Sequence, residues 1–128
     1  MEIKKNMDFI WDNIIKKIDN RTVDIQTKKL NGEMGVWFSV NVFNDSIIIG
    51  KSIINSPSSK LKNQRIISKN EFLNVYQYYS NWKNNEIKRT FLKNLSQNTS
   101  YIFAIIHFYD KWIESGTAHN QFVEFIFL

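Results

Sequence analysis

The sequence predicts an α+β domain: an antiparallel sheet of three to five strands, packed by an N-terminal helix and a C-terminal helical cluster, and ending in an apolar strand. Three observations predict it. Apolar and polar residues alternate through 22–54. Apolar residues recur at helical spacing through 7–19 and again through 69–113. The strands come first and most helices later, an order that argues against βαβ winding.

Taken in chain order, Asn6 is placed to cap a helix over about 7–19, with Met7, Ile10, Trp11, Ile14, Ile15 and Ile18 on one stripe. Val23, Ile25 and Thr27 then alternate with Asp24, Gln26 and Lys28, which reads as a half-buried strand near 22–29. Asn31-Gly32-Glu33-Met34-Gly35 is a turn. A second strand follows over 36–43, with Val36, Phe38, Val40 and Val42 on one face and Trp37, Ser39, Asn41 and Phe43 on the other. Asn44-Asp45 turns the chain into a third strand, Ser46 to Ile54, where Gly50 is a candidate bulge. Residues 55–63, with Ser56-Pro57-Ser58-Ser59, read as a mobile surface loop, and 65–67 as a short fourth strand.

Ser68-Lys69-Asn70-Glu71 has the form of a capping box and opens a helix over about 69–83, striped with Phe72, Val75, Tyr76, Tyr79 and Trp82. A short helix near 86–95 carries Ile87, Phe91, Leu92 and Leu95. The last helix starts at Asn98 or Thr99 and runs to about Ile113. After a loop over 115–120, Phe122 to Leu128 reads as a strand that is apolar on both faces. Such a strand is expected to be central, covered by helices, or part of a subunit interface.

A length of 128 residues fits one domain spanning 1–128, and an apolar content of 43% is enough for a core. With no cysteine, disulfides, thiolate metal sites and cysteine nucleophiles are excluded. The N-terminus shows no signal-peptide core, and the longest apolar stretch, Tyr101 to Tyr109, is too short to span a bilayer. A cytoplasmic protein without membrane contact is the expectation.

The net charge of +5 is unevenly spread. Residues 1–50 balance seven Lys/Arg against seven Asp/Glu, residues 51–100 hold nine against two, and residues 101–128 hold one against three. The excess therefore lies in the middle segment. Lys51, Lys60, Lys62 and Arg65 cluster in one part of it, and Lys83, Lys88, Arg89 and Lys93 in another. Clustered cations suit an anionic partner, since lysine and arginine neutralise phosphates and release counterions. The alternative is a solubilising surface. Trp37 and Phe43 can face outward and stack on bases, or pack beneath a helix or partner.

Catalytic motifs are scarce. His107 and Asp110 lie three apart on a helix, the spacing of a base and its orienting carboxylate, but His107 sits among Ile105, Ile106 and Phe108 and also reads as a structural histidine. His119 lies in a polar loop beside Asn120. Asp8 and Asp12 form a pair one turn apart on a solvated face. No phosphate loop, metal-ligand spacing or cofactor motif is present in the sequence. A helix-turn-helix over 86–113 fails chemically: the segment that would read DNA is Tyr101-Ile102-Phe103-Ala104-Ile105-Ile106, with few groups for base edges.

One stretch carries a resemblance. From Thr27 to Trp82, the strand with Phe38 and Val40, then Asn44-Asp45-Ser46-Ile47, then Ile66-Ile67-Ser68 leading into Phe72 and Val75, with Ser100-Tyr101-Ile102 downstream, is similar to small domains of bacterial restriction, defence and mobile-element (phage) genes. The resemblance implies a nucleic-acid or defence context and brings no catalytic residue.

The expectation is a non-enzymatic binding module for nucleic acid, with Lys51, Lys60, Lys62, Arg65, Lys88, Arg89 and Lys93 as phosphate contacts. Two alternatives stay open. One is a homo-oligomeric factor, built on the C-terminal strand and helices, that sequesters a host protein or a nucleotide signal. That form needs a pocket where basic residues meet aromatics such as Tyr76 or Tyr79. The other is an enzyme using His107 and Asp110.

Overall fold

The chain folds in the order α1 (Glu2–Ile18), β1 (Thr22–Lys28), β2 (Met34–Phe43), β3 (Ser46–Lys51), β4 (Arg65–Ile67), α2 (Lys69–Tyr76), α3 (Tyr79–Lys83), α4 (Arg89–Leu95), α5 (Thr99–Ser115) and β5 (Glu124–Ile126). The structure, a computed structural model, describes residues 2–115 and 124–126, and the side chains of 7–111. One sheet runs β4-β3-β2-β1-β5, with every neighbouring pair antiparallel. The α+β class read from the sequence is the class observed.

Strand alternation divides the sheet into two faces. Val23, Ile25, Phe38, Val40, Ile47, Ile49 and Ile67 all point to one side and are buried. Register aligns Val23, Val40 and Ile49 in a row across three strands. Against this face pack Trp11, Ile14 and Ile18 of α1, Phe72 and Val75 of α2, and Ile102, Ile105 and Ile106 of α5. Each such side chain contributes about 1.5–3 kcal/mol by leaving water, so this interface dominates the stability of the fold. On the other face Gln26, Trp37, Ser39, Asn41 and Ile48 are half-buried and Ile66 is exposed.

The turns follow from local chemistry. Asn44 and Asp45 both take positive φ, 50° and 60°, as a two-residue hairpin turn between twisted strands requires. At the β1–β2 end, Gly35 has no freedom to be larger, because a Cβ there would lie 2.1 Å from Thr27 Oγ1. The close approach lets Thr27 Oγ1 accept from Val36 N–H at 3.0 Å.

Several local expectations are corrected. The first helix begins at Glu2, so Asn6 lies inside it and is not its cap; Glu2, Lys4 and Lys5 are good helix formers and extend the first turns. Gly50 pairs regularly with Ser39, and the register shift lies instead between Gln26 and Lys28, beside the Thr27–Gly35 approach. β3 stops at Lys51, since Ser52 N–H turns away to Ser58 Oγ at 2.9 Å and leaves Ile53 and Ile54 exposed.

The helix expected over 69–83 breaks at Gln77–Tyr78 into α2 and α3, which lets Tyr79 turn into an aromatic cluster with Trp82 and Phe103. The next helix begins only at Arg89, because Glu86 N–H closes a turn onto Asn81 O at 2.8 Å and Asn85 takes a positive φ of 56°. The C-terminal strand is not central: β5 lies at the sheet edge, beside β1. His119 and most of the loop expected over 115–120 lie outside the described residues.

Candidate nucleic-acid interface

Residues 52–59 leave β3 as a strap that turns over Asp24 and then runs beside β2. The sequence suggests a mobile loop; the structure ties this segment down at three places. Trp37 N–H donates to Pro57 O at 2.8 Å and Ser59 N–H donates to Trp37 O at 2.7 Å, so the strap borrows a short parallel bridge from β2. Asp24, fully buried beneath it, accepts from Asn55 Nδ2 at 2.9 Å and from the Ser52 hydroxyl. At the far end the hydroxyls of Ser59 and Tyr101 share a hydrogen bond of 2.8 Å. Beyond Ser59, Leu61 is buried and takes its N–H to Ser59 Oγ at 3.3 Å. An inward Leu61 forces its neighbours outward, and Lys60 and Lys62 are both exposed.

Arg65 comes to the same place by a different route. Its pairing with Ile49 puts it on the helix-bearing side of the edge strand β4. There its guanidinium lies 5.9 Å from the centre of the Tyr101 ring. Arg65 Nη1 donates to Gln97 O at 3.2 Å and to Asn98 Oδ1 at 3.1 Å. Asn98 Nδ2 in turn donates to Glu71 Oε2 at 2.9 Å, which also accepts from Ser96 Oγ at 2.6 Å. Glu71 is therefore only half of the expected capping box. Its backbone N–H does take the Ser68 hydroxyl, at 3.2 Å, but its carboxylate reaches across to the α4–α5 link.

Lys60, Leu61, Lys62, Asn63, Gln64, Arg65 and Tyr101 line an open groove of about 480 Å³. No carboxylate stands among them. Two flexible ammonium groups and one planar, pre-oriented guanidinium suit phosphate oxygens, the lysines as point charges and the arginine as a fork. Tyr101 is committed: its edge packs on Phe38, with ring centres 4.9 Å apart, and Arg65 covers its face. It orients the arginine and is not a free stacking platform.

Of the seven cations expected as phosphate contacts, three converge here. Lys51 is exposed at the end of β3. Lys88, Arg89 and Lys93 are exposed on and before α4, which runs through Ser96 into the Gln97–Asn98 turn that holds Arg65. Phe43 is 66% exposed at the β2–β3 turn, while Trp37 is half-buried and its backbone is engaged by the strap.

Sequence reasoning missed a second convergence. Lys28, Lys29 and Leu30 from the end of β1 and its turn, Tyr79, Trp82 and Lys83 from α3, and Phe103, Ala104 and His107 from α5 surround a cavity of about 150 Å³. The alternation at 22–29 and the aromatic stripe at 69–83 are both visible in the sequence, but their meeting is not. Asp24 was missed too, since its outward register reads as solvated until the strap covers it. His107, half-buried, borders this cavity. Asp110 raises the pKa of Tyr76 and of Tyr109, adding to the larger effect of their burial. Asp8 forms an ion pair with Lys69 at 3.2 Å, joining α1 to α2. Among the described residues no cluster of acids and histidines is arranged to hold a metal ion, and no helix is long and apolar enough to cross a membrane.

Compared with family models, curated proteins and solved structures, the chain finds no match.

Proposed function

We infer that the chain is a cytoplasmic, non-enzymatic module that binds nucleic acid through the groove of Lys60, Lys62 and Arg65. The observation that carries this reading is their convergence, from the end of the strap and an edge strand, on one open groove whose described lining holds no carboxylate. Surface lysines in a basic chain point every way; here Leu61 and the Asn98–Glu71 network aim three cations at the same space. Lys51, Lys88, Arg89 and Lys93 lie outside the groove and are exposed, as further phosphate contacts require. The resemblance to restriction, defence and phage domains agrees with this reading and gives it a setting, in defence or in its evasion.

The test is fluorescence anisotropy of the protein against labelled duplex DNA, single-stranded DNA and RNA at two salt concentrations. Binding that weakens steeply with salt, and that is lost in Lys60→Glu/Lys62→Glu, is the expected result. Absence of binding to all three at low salt would overturn the reading.

The position of β5 favours a second reading alongside the first. It occupies the sheet edge, and edge strands present unpaired backbone groups to another chain. A homo-oligomer formed through this strand would sediment above the monomer mass of 15.3 kDa; a monomer at all concentrations would remove it.

A further inference from the structure

The cavity beside α3 is chemically unlike the groove. Its floor is aromatic: Tyr79 and Phe103 are buried, Trp82 is half-buried, and their rings pack at 5.6 Å for Tyr79–Phe103 and 4.7 Å for Trp82–Phe103. Its rim is cationic. Lys28, Lys29 and Lys83 are all exposed, and Lys83 Nζ stands 5.4 Å from the centre of the Tyr79 ring. Leu30, also exposed, closes one side. Among the described residues no carboxylate lines the cavity; Glu33 pairs with Lys29 at 3.5 Å outside it, a solvated contact that gives way at little cost.

We propose that this cavity is a binding site for a free nucleoside phosphate, with the base against Trp82 and Leu30 and the phosphates on Lys28, Lys29 and Lys83. The argument is one of shape and charge. Pockets that enclose a whole small ligand run to about 300–1,000 Å³. At about 150 Å³ this one takes a flat ring and leaves the rest of the ligand at the mouth. A flat ring on an aromatic floor gains stacking energy whatever the base, because every base has a π-face. The remainder meets three ammonium groups delivered from two separate elements, more positive charge than a single carboxylate calls for. A planar ring joined to several negative charges is the chemistry of a nucleotide. The site is independent of the groove, sharing no lining residue with it.

Isothermal titration with ATP, ADP, AMP, adenosine and inorganic tripolyphosphate tests this, with intrinsic tryptophan fluorescence read in parallel. Saturable binding of ATP or ADP, at least tenfold tighter than adenosine or tripolyphosphate alone, is expected. Lys83→Glu and Lys28→Glu, both at exposed positions, should each weaken it tenfold or more. Trp82→Phe keeps the packing, so binding should persist in calorimetry while the fluorescence change is lost. Lys60→Glu/Lys62→Glu should leave nucleotide binding intact even where it abolishes nucleic-acid binding. If no nucleotide binds at millimolar concentration, if Lys83→Glu is without effect, or if the groove variant removes nucleotide binding, the site is not where we place it. A failure of the groove reading leaves this proposal standing, and the reverse also holds.

Discussion

Asn98 Nδ2 donates to Glu71 Oε2 at 2.9 Å while its own side-chain oxygen accepts from Arg65 Nη1 at 3.1 Å. One buried amide thus relays between an acid on α2 and a cation on β4, and fixes where that cation points. Replacing Asn98 with Ala removes both bonds and leaves two charged groups short of a partner. We expect a loss of about 1–3 kcal/mol, as for a buried polar group left unsatisfied, read as a lower urea midpoint with an unchanged slope. Nucleic-acid affinity should fall as well, because Arg65 loses its aim. An unchanged midpoint would show that the network is ornamental to the fold.

The groove makes a quantitative statement about salt. For duplex DNA, log affinity falls with log salt by about 0.9 for each phosphate neutralised. The double variant Lys60→Ala/Lys62→Ala should therefore flatten the slope by about two. A weaker complex with an unaltered slope would mean that these lysines act by shape and not by charge.

Gly35 faces Thr27 too closely for any side chain. Gly35→Ala should destabilise the protein by about 1–3 kcal/mol, as overpacking does elsewhere. The double variant Gly35→Ala/Thr27→Ala, which removes the Oγ1 that the new Cβ would meet, should recover part of that loss in thermal unfolding; no recovery would locate the strain somewhere else.

Tyr76 and Tyr109 give a pH signature. Burial first, and then the Asp110 charge, raise both phenols above the ordinary 10.0. A group with a raised folded pKa contributes stability that is complete below its unfolded pKa and lost as pH rises through its folded pKa. The alkaline loss of stability from these two tyrosines should therefore begin only above about pH 10. Phenolate absorbance should show a fraction of the tyrosines titrating late, and Asp110→Asn should move that fraction earlier.

The architecture was readable in the sequence wherever a period was strong. Val23 to Thr27, Val36 to Val42 and the stripe from Tyr101 to Tyr109 identify their elements because one face of each meets the core. What escaped were features set by contacts distant in sequence. The break at Gln77–Tyr78 follows from the demand of Tyr79 for an aromatic cluster on α5, which no local propensity encodes. Residues 55–59 look like a free loop because Pro57 and three serines favour turns; the residues that hold the strap down, Asp24 and Trp37, lie on earlier strands. For the candidate site, Lys60, Lys62 and Arg65 were legible as charge, but only the buried Leu61 and the Asn98 relay show that they share a direction.

Leu61 is the one side chain of residues 60–64 that the core holds, with Arg65 next in line already anchored. The fold and the binding chemistry of this segment are therefore nearly separable. Lys60, Lys62, Asn63 and Gln64 can be exchanged for other polar residues while strap, sheet and helices stay as they are. The charge and shape of this groove are therefore open to change, by selection or by design, without first repairing the protein around it.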